Sequence, residues 1–159
     1  MIARCCARSL LVIALTIASA GCDPEPPHYL GATVYENGVI EVLVNQCRGA
    51  GIVGAYVAPL DITSLGEGQV LPRAEWGIES EVPQHIDVFT LGDSPEGFTS
   101  FGVLPPSAAL ADYQVVVYFS DGYQDTFELR YLEAASPQEI RVSFGEVMSK
   151  SEFYACEER

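Results

Sequence analysis

The chain has 159 residues with 8 basic and 22 acidic side chains, a formal net charge of −14, and 48% hydrophobic residues. That balance excludes nucleic-acid binding, which needs clustered Lys and Arg, and offers no polybasic patch to hold anionic lipid. The length suits one domain with a real core.

The first residues have the layout of an export signal. Arg4 and Arg8 form a short positive region, and Ser9 to Ala20 follow as an uncharged, mostly apolar run. The run is shorter than the roughly 20 residues that a spanning helix needs, and suits a signal segment. Two cleavage readings compete. Ala18-Ser19-Ala20 is a small-residue site that would leave a soluble secreted protein beginning at Gly21. Ser19-Ala20-Gly21-Cys22 resembles the lipobox of bacterial lipoprotein signals. The resemblance implies a diacylglyceryl thioether on Cys22, cleavage before it, and acylation of the new amino group, for example by palmitate. It thus implies a partner, the membrane, and an address on its extracytoplasmic face.

Cysteine arithmetic favours the second reading. Cys5 and Cys6 leave with the signal, lipidation consumes Cys22, and Cys47 and Cys156 remain as an even pair suited to one disulfide in an oxidising compartment. The other cut leaves three cysteines and an odd thiol. A Cys47–Cys156 bridge would close a loop of 109 residues, which the chain-entropy argument values at roughly 4 to 5 kcal/mol. Asp23-Pro24-Glu25-Pro26-Pro27 cannot be helix interior and favours extended polyproline II, a semi-rigid spacer straight after an anchor. The organisation expected is a signal over 1–21, a lipidated cysteine and spacer over 22–29, and one domain over 30–159.

Short β-rich runs separated by Gly, Pro, Asp and Ser fill that domain. Strands are expected near 30–36, 39–45, 52–58, 74–79, 85–91, 98–103, 113–119, 123–132 and 138–144, with a short helix around 106–112 or 146–153. Around Asn37-Gly38, a three-residue loop puts Val34 opposite Ile40 and Ala32 opposite Val42, which collects the apolar side chains on one face. Ser120-Asp121-Gly122 repeats the logic, with Val115 meeting Phe127 and Tyr113 meeting Leu129. Asp125 then falls awkwardly on the apolar face. Leu104-Pro105-Pro106 leading to Tyr113 and a valine-rich strand resembles the tyrosine corner of immunoglobulin-like and fibronectin-type sandwiches. The fold class expected is all-β, a two-sheet antiparallel sandwich of immunoglobulin-like kind, with a small barrel or cup as the alternative.

Catalytic signatures do not stand out. There is no nucleophile elbow, no S-x-x-K, no H-E-x-x-H, no phosphate loop and no paired C-x-x-C. His28 lies in the spacer, and His85 opens a strand and reads as a surface residue. The acids Asp121, Asp125 and Glu128, and Asp87, Asp93 and Glu96, flank turns whose chemistry explains them without calcium. No catalytic residue, metal ligand or cofactor is therefore assigned. Trp76, the single tryptophan, reads first as a core anchor and second as an exposed aromatic at a binding surface. Leu60 to Arg73 is long and strand-poor, as recognition loops often are. Leu60, Arg73 and Trp76 make the expected interaction site. The function expected is a non-enzymatic envelope lipoprotein that presents its sandwich to another envelope or extracellular protein. The alternatives are a carrier or sensor of a small or lipidic ligand, a soluble secreted β-domain, or a hydrolase with an unrecognised site.

Overall fold

The computed structural model describes residues 29–34, 37–60, 74–132, 139–142 and 145–155. The signal, Cys22 and the spacer as far as His28 lie outside these, as do Arg73 and Cys156.

Among the described residues, ten strands form two antiparallel sheets of five. In chain order they are β1 (Leu30–Val34), β2 (Ile40–Val44), β3 (Ile52–Pro59), β4 (Trp76–Gln84), β5 (Val88–Thr90), β6 (Thr99–Gly102), β7 (Tyr113–Phe119), β8 (Gln124–Glu128), β9 (Ile140–Val142) and β10 (Val147–Met148). The first sheet runs β10-β9-β1-β2-β5 and the second β6-β4-β3-β7-β8. The expected all-β two-sheet sandwich is the architecture observed.

Both hairpins take the expected register. Val34 faces Ile40 and Ala32 faces Val42, while Val115 faces Phe127. Gly38 and Gly122 both adopt positive φ (79° and 83°), the left-handed conformation that such three-residue loops require. Asp125 does face Val117, and its carboxylate is occupied: Oδ1 accepts the Thr126 backbone N–H at 2.8 Å. A 3-10 turn over Leu129–Leu132 replaces the end of the expected long strand, and another over Ser107–Asp112 leads into Tyr113.

Period-two alternation builds the core. Leu30, Ala32, Val42 and Val44 from the first sheet meet Ala55, Val57, Trp76, Ile78, Val115, Val117 and Phe127 from the second. Most of these side chains are fully buried, each contributing about 1.5–3 kcal/mol for a Val, Leu, Ile or Phe. The outer face of the first sheet has its own cover. The short helix α1 (Lys150–Phe153) lays Phe153 against Leu43, Ile140 and Val142. Gly31 makes the seat, since a Cβ there would stand 3.1 Å from the Phe153 ring. A reciprocal capping box between Ser149 and Glu152 starts the helix.

Candidate functional site: a cleft and a free edge on the second sheet

The outer face of the second sheet is organised in two adjacent rows. One crosses Phe101, Gly77, Tyr56 and Val116; the next crosses Thr99, Glu79, Gly54 and Tyr118. Glycines alternate with large side chains, and the Tyr56 ring fills the space they leave. A Cβ on Gly54 would stand 2.7 Å from the Tyr56 hydroxyl, and one on Gly77 would stand 2.6 Å from Phe101 and 2.8 Å from Tyr56. The ring centroid of Tyr56 therefore lies 5.9 Å from Phe101 and 5.5 Å from Tyr118, in tilted and edge-on arrangements. Its hydroxyl donates to Glu79 Oε1 at 2.8 Å. Burial first, then this hydrogen bond and the charge of Glu79, push the Tyr56 phenol well above its ordinary range. It is accordingly a fixed donor at neutral pH.

A break in strand pairing turns this face concave. Gly54 faces Glu79, but Ile52 faces Gln84, so two steps along β3 correspond to five along β4. Ser80 to Pro83 thus bulge out opposite Val53. Bulges of this kind re-aim side chains and are common beside binding sites. Ser80 Oγ donates to the Val82 carbonyl at 2.7 Å, and the Gln84 side-chain amide donates to Ser80 Oγ at 3.2 Å and to the Val82 carbonyl at 3.1 Å. The result is a cleft of about 590 Å³ lined by Val53, Tyr56, Glu79, Ser80, Glu81, Val82, Gln84, Gly97 and Thr99. Its ionisable carboxylates are Glu79 and Glu81, and among the described residues no Lys or Arg lines it.

Beside the cleft runs β6, the outermost strand of its sheet. All four of its residues are exposed, and none is charged. Phe101 and the following Val103 are 38% and 79% exposed. Sheet edges are normally blunted by charge, proline, bulges or brevity, because their unpaired backbone groups invite another strand. The other edges follow that rule. β5 and β10 have three and two residues, and on β8 the Asp125 carboxylate takes the Thr126 N–H. Among the described residues, β6 has only its four-residue length to protect it.

Of the expected interaction residues, Trp76 takes the first of its two readings, the core anchor. Trp76 is 3% exposed and packs in the inter-sheet core, so it displays no aromatic surface. The cause is β4's alternation, which turns Trp76 and Ile78 towards the other sheet. Leu60 is half-buried, its N–H donating to the Asp112 carbonyl at 3.0 Å. Arg73 and the rest of 61–73 lie outside the described residues. Sequence reasoning missed Tyr56, Glu79 and Phe101 because only non-local strand register brings them together.

His85, Asp93 and Glu96 are exposed, and Asp121 accepts the Tyr123 N–H in its turn. Among the described residues, no group of three or more His, Cys, Asp or Glu side chains is arranged to hold a metal ion. Cys47 sits in a 3-10 turn, its N–H donating to Asn45 Oδ1 at 2.8 Å, and the buried Asn45 amide donates to the Phe153 carbonyl. Comparison with known proteins leaves the reading to this geometry: no family model, no curated protein and no solved structure matches the chain.

Proposed function

We propose that this chain is a cell-envelope lipoprotein, cut before Cys22 and held by lipid on the extracytoplasmic face of a membrane. Its β-sandwich docks another envelope or extracellular protein and carries out no catalysis of its own. The observation that carries the docking reading is the uncharged, exposed edge β6 beside a concave polar cleft. An extended segment added there would gain backbone hydrogen bonds from the edge and side-chain contacts from the cleft.

Support for the anchor is the lipobox-like Ser19-Ala20-Gly21-Cys22 with its proline spacer. The proposed Cys47–Cys156 bridge is supported by the Asn45–Phe153 hydrogen bond, which ties the flank of Cys47 to the chain three residues before Cys156. Oxidation of that pair would staple the covering helix α1 to the sandwich.

A photo-crosslinking residue at Phe101, compared with one at exposed Asp121 on the β7–β8 turn, tests the docking reading in intact cells. The expected result is a discrete adduct with an envelope or extracellular protein from position 101 only. Equal, diffuse labelling from both positions would contradict it.

A further inference from the structure

We infer that the cleft receives a basic side chain, guanidinium or ammonium, from a partner segment that pairs with β6 as an added strand; this deepens the docking reading above and rests on it.

The balance of donors and acceptors in the cleft selects a cation. The cleft's own side-chain donors are largely used internally: the Tyr56 hydroxyl on Glu79, the Ser80 hydroxyl on the Val82 carbonyl, and the Gln84 amide on Ser80 and that same carbonyl. What these side chains leave to an incoming group is chiefly acceptors: the second oxygen of Glu79, the carboxylate of Glu81 and the carbonyl oxygen of Gln84. A guanidinium or ammonium has donors and no acceptor, and is the side-chain chemistry that satisfies such a lining. Charge points the same way, for the described lining of the cleft holds two carboxylates and no cation, within a chain of net charge −14. Phe101, 5.9 Å from Tyr56 and partly exposed, offers a ring on which the stem or head of the same side chain can lie.

Backbone geometry places that side chain. Thr99 sits opposite Glu79 across the β6–β4 pair, so a strand added outside β6 brings alternate side chains over the face that carries Glu79 and Tyr56. A second copy of this chain is a poor occupant of the same edge, since it would bring a second set of carboxylates against the first.

The test uses the full mature chain in detergent micelles and a five-residue blocked peptide, Val-Thr-Arg-Val-Thr, with a twin in which neutral citrulline replaces arginine. Backbone amide shifts and isothermal titration report binding. The arginine peptide is expected to bind with shifts concentrated at Thr99–Gly102, and to weaken at least tenfold when citrulline is used, when salt is raised, or in Glu79→Gln. That variant keeps an acceptor for the Tyr56 hydroxyl and so keeps the fold. Equal binding of the two peptides, shifts away from β6, or no binding at millimolar peptide would each overturn the inference. The docking reading fails separately. If position 101 crosslinks a partner in cells and Glu79→Gln leaves the adduct unchanged, docking stands and the basic-side-chain inference falls.

Discussion

The Tyr56 hydroxyl donates to Glu79 at 2.8 Å across the junction of β3 and β4, at the point where their register breaks. One buried ring thus supplies the floor of the cleft and fixes the carboxylate on its wall. Replacing Tyr56 by Phe should cost about 1 kcal/mol, the typical net worth of such a hydrogen bond, with little change in packing. The effect should depend on pH. The phenol is raised in the folded state, so its contribution is fully present below the ordinary phenol value of about 10 and is lost as the pH rises through the folded value. Urea unfolding of both proteins between about pH 8 and pH 11 checks this: the stability gap should narrow at the alkaline end.

Two glycines with nearly the same φ should respond differently to alanine. Gly38 has φ 79° and open space within 4 Å of where a Cβ would stand, whereas Gly102 has φ 72° and a Cβ there would collide with the Glu75 carbonyl oxygen. Gly38→Ala should cost about 1 kcal/mol, the penalty of the left-handed conformation. Gly102→Ala adds a backbone clash, and should cost roughly 2–4 kcal/mol and loosen β6 from β4. Hydrogen exchange at Thr99–Gly102 separates the two outcomes.

Trp76→Ala should destabilise by about 3–5 kcal/mol, because it empties a large site in the inter-sheet core. The native protein should show emission typical of a tryptophan shielded from water, shifting to the red on unfolding. Red-shifted emission in the native state would restore Trp76 to the surface.

Removing the cap of α1 should loosen the outer cover of the first sheet. The Ser149 hydroxyl and backbone N–H donate to the Glu152 carboxyl and hold it below its ordinary range. That stabilisation is present above the unfolded carboxylate value of about 4.3 and is lost as pH falls through the lowered folded value. Ser149→Ala should cost about 1 kcal/mol, with faster exchange at Phe153 and Tyr154 and a weaker acid dependence of stability.

Local chemistry made the hairpins legible. Asn37-Gly38 and Asp121-Gly122 set loop length, loop length set register, and the pairs Val34–Ile40 and Val115–Phe127 followed. The cleft was not legible, because Gly54 meeting Glu79 and Gly77 meeting Tyr56 are facts of pairing between distant segments. β4 was expected to stop at Glu79; it continues to Gln84 through a bulge containing Pro83, which alternation alone cannot reveal. Trp76 shows the reverse case. Its alternation with acids correctly set its face, but only the first sheet's position makes that face the interior.

Intact-mass analysis of the native product, with peptide mapping under non-reducing conditions, decides between the anchor and its rival. A diacylglyceryl-modified Cys22 at the amino terminus, with Cys47 and Cys156 recovered in one linked peptide, is the outcome expected. An unmodified chain beginning at Gly21 and carrying three free thiols would contradict it.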